Sequence, residues 1–162
     1  MPGKAGWPGM EELDVSANDE QRERLAEIVQ RLTADDHARE VMPGWTIGAL
    51  LGHLAFWDRL VIERWTRAIA DGDTVPVSLS DVLTDLINGA SLAQWLAMPG
   101  PLAGREAIAA AEAVDAYVEG LEEARVAAAE EAGLARLIDR SRHRVEHLDA
   151  IETALGGSHS SR

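Results

Sequence analysis

The stretch WTIGALLGHLAFWDRLVIERWTRAIADG, from Trp45 to Gly72, constrains this chain more than any other. Ile47, Leu50, Leu51, Leu54, Trp57, Val61, Trp65 and Ala68 recur at three- and four-residue spacing, which places them on one face of an α-helix. Ala49, Phe56 and Leu60 add a second stripe. A helix apolar over so much of its circumference belongs at the centre of a packed domain. Thr46 is placed as its N-cap, with Trp45 and Leu50 as a hydrophobic staple around the cap and Gly72 as the stop.

The remaining segments supply its partners. SANDEQRERLAEIVQRLT reads as an earlier helix, capped by Ser16 or Asn18, with Leu25, Ile28, Val29 and Leu32 on its inner face. GREAIAAAEAVDAYVEGLEEARVAAAEEAG reads as a third helix, buried through Ile108, Ala111, Val114, Val118 and Leu121 and ended by Gly133. LARLIDRSRHRVEHLDAIETAL is the last, with Leu134, Leu137, Ile138, Val145, Leu148 and Leu155 inside and Gly156 and Gly157 at its end. Residues 71–104 form a long connection around an amphipathic piece that Ser80 caps and Gly89 divides. No segment alternates as a strand does. The expectation is an all-α, four-helix bundle with a long crossover between helices two and three. It forms one domain over residues 16–157, preceded by a loose arm (1–15) and followed by a disordered tail (158–162).

Composition narrows the function. With 162 residues, 46% of them apolar but only one Phe and one Tyr, the core must be built from Leu, Ala, Val and Ile. A net charge of −13 disfavours binding to nucleic-acid backbones. The absence of cysteine removes disulfides, thiolate ligands and cysteine nucleophiles, so any sulfur chemistry must use a bound small molecule. No stretch reaches the roughly 18 apolar residues of a membrane span, and MPGKAGWPGM is too weakly apolar for a signal peptide. A cytoplasmic location is expected, and Ala-rich helix faces together with the crossover piece make a homodimer an open expectation.

The five histidines carry the chemical signal. His143 and His147 stand four residues apart in RHRVEHLDAIE, one above the other on a helix, where both can reach one ion. His53 on the central helix is the natural third ligand. Three imidazoles suit a divalent ion such as zinc, nickel or iron and leave positions open for water or substrate. All three lie beside, not within, the apolar stripes of their helices. At that spacing they either line a groove at the bundle's edge or meet solvent. His37 reads as a solvated turn residue beside Asp35 and Asp36, and His159 belongs to the tail. Arg140 and Arg144 read as surface arginines balancing acidic neighbours, with recognition of a cofactor's carboxylates as the alternative. Phe56, Trp57 and Trp95 read as core packing before pocket walls. Glu146 and Asp139 point away from the histidine stripe.

PGWTIGALLGHLAFWDRLVIERW resembles the second-helix signature of the DinB-like superfamily, a Trp–Ser/Thr start followed by an apolar run and a histidine. DRSRHRVEHLDAIETAL is similar to that superfamily's last helix with its His–x–x–x–His. The resemblance spans about Asn18 to Leu155. It implies an up-down-down-up bundle with a metal held by His53, His143 and His147. It also implies kinship with thiol-dependent enzymes, among them the metal domain of mycothiol-dependent maleylpyruvate isomerase and the bacillithiol transferases. The leading expectation is therefore a metal-dependent enzyme that uses a low-molecular-weight thiol on a small electrophilic substrate. A metal-dependent hydrolase and a non-catalytic binder of a small molecule or metal are the alternatives.

Overall fold

The structure, a computed structural model, describes residues 16–156. The N-terminal arm (1–15), Gly157 and the whole tail (158–162) with His159 lie outside the described residues. Helices α1 (Ser16–Arg31), α3 (Ile47–Asp71), α5 (Gly100–Glu119) and α7 (Ser141–Gly156) are the four long members of an all-α bundle. Three further helices, α2 (Ala34–His37), α4 (Asp81–Ala97) and α6 (Glu123–Glu131), sit in the connections.

Two core clusters fix the direction of each helix. At one end Leu25 and Ile28 of α1 pack with Ile47, Leu50, Leu51 and Leu54 of α3, and Ala103, Ala107 and Ala111 of α5, and Leu148 and Ile151 of α7, join them. At the other end Val61 and Trp65 of α3 meet Val114 and Val118 of α5. The first half of α3 thus lies with the first half of α5, and the two run parallel. α1 and α7 run the other way, since Asn18 at the start of α1 donates from Nδ2 to Ile138 O just before α7 (3.1 Å). The order is up, down, down, up, with α4 carrying the crossover.

The capping chemistry follows the sequence. Thr46 Oγ1 accepts from Ala49 N (3.1 Å), and Ser80 Oγ accepts from Leu83 N (3.2 Å). Gly72 takes the left-handed conformation at φ 80°, the conformation a helix stop of this kind requires. Trp45 packs on the cluster that holds Leu50, as a staple does.

Several expectations need correction. First, residues Glu40–Met42 and Trp45–Thr46 pair as a small antiparallel hairpin, β1 and β2, where no strand was expected. Second, the third helix is not continuous over 104–133. It begins at Gly100, because Pro101 in a first turn loses no intrahelical donor, and it stops at Gly120 before α6 begins. Third, the last helix begins at Ser141, after a single 3-10 turn at Ala135–Leu137. Gly89 does not interrupt α4. Fourth, His37 is buried, not solvated. Its Nδ1 meets Thr33 O at 2.7 Å, and its ring packs so closely on Gly100 that a Cβ there has no room.

Candidate metal centre

α7 carries polar side chains on two faces, and they are treated very differently. Arg144 is fully buried at a position between Ser141 and Leu148 where the apolar pattern leaves a core slot. Its guanidinium makes a two-point pair with Asp115 of α5 (2.8 and 2.9 Å) and reaches Asp58 of α3 at 3.3 Å. Arg140, also buried, donates from Nε to Asp58 Oδ1 (2.9 Å) and from Nη1 to Arg136 O (2.7 Å). Asn18 accepts from the backbone N–H groups of Arg140 (2.8 Å) and Ser141 (3.0 Å), and so holds the start of α7 and does not cap its own helix. The two arginines are thus internal, not surface charges. A buried guanidinium is tolerable only because carboxylates and carbonyls replace its water.

The histidine face is one step round the same helix. His143 and His147 turn toward His53 of α3, and ligand nitrogens of the three rings all lie within 4.8 Å of one another. The Nε2 atoms of His53 and His143 are 3.1 Å apart. Nitrogens bound tetrahedrally at about 2.0–2.1 Å from a zinc ion stand about 3.3 Å apart, so this spacing fits a shared ion with small adjustments. The groove alternative left open by periodicity is the one realised. Trp95, itself buried, abuts His53 edge-on at 5.2 Å between centroids, and Trp45 does so at 5.5 Å.

This apolar packing sets the protonation state. Burial pushes His53 down to about 3, helped by repulsion from His147 once that ring is protonated and from Arg140, while a contact from Asn88 partly offsets the shift. His143 is lowered well below the ordinary histidine value, first by burial and then by Arg140 and the neighbouring rings. Burial lowers His147 as well, against a smaller opposing pull from Glu146. All three rings are therefore neutral at pH 7 and carry lone pairs, the form a metal requires. One contact is unusual for such a site. Arg140 Nη2 donates to His143 Nδ1 (3.2 Å), where a ligating histidine usually donates outward. That bond places the ring proton of neutral His143 on Nε2, facing His53, so metal uptake must release or relocate it.

The histidines form one end of a cleft of about 620 Å³ between α3, the start of α4 and the segment leading into α7. That volume suits a small molecule. Trp57 walls it, with Nε1 donating to Asn88 Oδ1 at 2.9 Å, so it is a cleft residue where core packing was expected. Phe56 and Trp95 stack behind it, Trp95 in the core. Glu146 lines the cleft although its spacing turned it away, and it stands exposed at the rim. Asp139 does not join it; its Oδ1 accepts from Ser141 N (2.9 Å) at the start of α7. Arg64 and Asn88, which sequence reasoning passed over, also line the cleft, as does Arg136. The signal for Arg64 was present, since residues 53, 57, 61 and 64 share one helix face.

No helix among the described residues is long and apolar enough to cross a membrane. No curated protein matches the chain, and no solved structure does. The sequence family described as the DinB superfamily matches residues 17–155. With its bundle order and its histidines from α3 and α7, the chain belongs to the DinB superfamily.

Proposed function

We propose that the protein is a divalent-metal-dependent enzyme that activates the sulfur of a low-molecular-weight thiol for attack on a small electrophile. The observation that carries the metal reading is the meeting of three neutral imidazoles from α3 and α7, one buried and two half-buried, with ligand atoms inside 4.8 Å. A bound divalent ion of zinc, nickel or iron type supplies Lewis acidity that lowers the pKa of a coordinated thiol or water.

The chain's own residues do the rest. Trp45 and Trp95 exclude water from one side of His53 and hold its ring in place. Arg140, itself anchored on Asp58, fixes the plane of His143. Trp57 and Asn88 shape the wall along which a substrate approaches the histidines. The absence of cysteine means that the protein offers no competing thiolate of its own. A thiol is favoured over water as the nucleophile because the described cleft holds no buried carboxylate beside the imidazoles to act as general base. Glu146 and Asp81, the acids that line it, are both exposed.

The test is turnover of a generic electrophile such as 1-chloro-2,4-dinitrobenzene by zinc-, nickel- or iron-loaded protein without a His tag, with and without added thiol. Thiol-dependent turnover that disappears in His147→Ala supports the proposal. Thiol-independent ester hydrolysis by the same loaded protein would favour the hydrolase instead. Metal binding with neither activity would leave a binding protein.

A further inference from the structure

The cleft has a second end, and it is cationic. Among the described residues, every arginine except Arg64, Arg105 and Arg136 forms an ion pair with a carboxylate. Arg105 is exposed elsewhere on α5, but Arg64 and Arg136 both line the cleft. In a chain with 28 acidic residues against 15 basic ones, unpaired arginines are the exception. Arg64 is half-buried; its Nη2 donates to Val77 O (2.5 Å), and its Nε is buried with no partner. A buried, unmet N–H on a cation costs free energy that an oxyanion in the cleft recovers. Arg140 lies near enough to burden Arg64 with like charge, and Asp58 already occupies Arg140. The carboxylates of Asp81 and Glu146 stand at the mouth and pair with neither arginine.

We propose that Arg64 and Arg136 recognise a carboxylate-type oxyanion, so that the ligand of this cleft is an elongated small molecule, anionic at one end, with its reacting group at the histidines. His53 and Arg64 lie on one face of α3, about 16 Å apart along the axis, and their side chains span part of that distance. An extended ligand can meet both ends of the cleft. The inference deepens the proposed function by naming the substrate class, and it rests on that reading only for what happens at the histidine end.

The test compares 8-mercaptooctanoate with 8-mercaptooctan-1-ol, which share thiol and chain length and differ in the anionic group. Binding to zinc-treated protein is measured by titration calorimetry, with zinc content determined separately. The expected result is about tenfold tighter binding of the carboxylate, the scale of one charge-assisted pair. Arg64→Gln should abolish the preference and Arg64→Lys should keep part of it, with zinc content unchanged in both. Arg136→Gln, at an exposed position, should reduce the preference and gives an independent readout if an Arg64 variant does not fold. Equal affinities in the unaltered protein, a preference that survives Arg64→Gln and Arg136→Gln, or no binding of either probe overturns the inference. Zinc binding with equal affinities defeats this inference and leaves the metal reading standing. A preference that depends on Arg64 in protein that takes up no zinc does the reverse.

Discussion

The two polar faces of α7 make opposite use of the same helix. On one, Arg144 is sealed between Asp58 and Asp115, and Arg22 adds a further contact to Asp115 (2.9 Å). On the other, His143 and His147 meet His53 across a cleft, and His53 Nδ1 is buried without a partner. The first face spends nearly all its polar groups on one another, with Arg144 Nε left buried and unmet. The second keeps lone pairs and donors free and holds them in place with aromatic packing. Opposite charges paired on one another fix the bundle, whereas ring nitrogens that converge beside a cleft are placed to meet a ligand.

The largest effect should come from unbalancing the ion-paired face. Asp115→Ala strands Arg144 and should cost about 3–5 kcal/mol in urea unfolding. Removing both charges together, in Asp115→Leu with Arg144→Met, should cost far less, because a matched apolar pair leaves no uncompensated ion. If the double variant is as unstable as the single one, the contrast between the two faces is wrong.

A smaller effect comes from the histidine face, with a definite sign. The folded-state value of His53 lies near 3, below its ordinary value of 6.5. Below about pH 6.5 the unfolded chain therefore takes up a proton that the folded chain refuses. Stability of metal-free protein should fall as pH drops from about 6.5 toward 3, and by pH 5 this single group should cost about 2 kcal/mol. Denaturation midpoints of metal-free protein across this range should decline less steeply in His53→Gln. An unchanged slope would mean that the ring is not held neutral by burial. The smallest effect is local: Thr46→Ala, which removes the cap of α3, should cost about 1 kcal/mol without changing the acid slope.

Much of this was legible in the sequence, for physical reasons that also explain the misses. A period near 3.6 announced α1, α3, α5 and α7, and Thr46, Ser80 and Gly72 announced their own caps and stop. Strands of two and three residues carry no period, so the hairpin left no trace. Arg140 and Arg144 were misplaced because a pattern of apolar spacing counts every charge as outward. Yet Asp58 lies between Leu54 and Val61, Asp115 between Ala111 and Val118, and Arg144 at a slot in line with Leu148. Opposite charges at core positions of separate helices are the signature of a buried pair. The histidines were identified by their spacing, but their convergence depends on how α3 and α7 pack, which spacing does not contain.

The central claim is that His53, His143 and His147 share one ion, and titration of metal-free, untagged protein with cobalt(II) tests it most directly. The account predicts visible absorption of a low-coordinate site that saturates at one equivalent per chain, is reversed by excess zinc and is absent in His147→Ala. No absorption, or the same titration curve in the His147 variant, would contradict it.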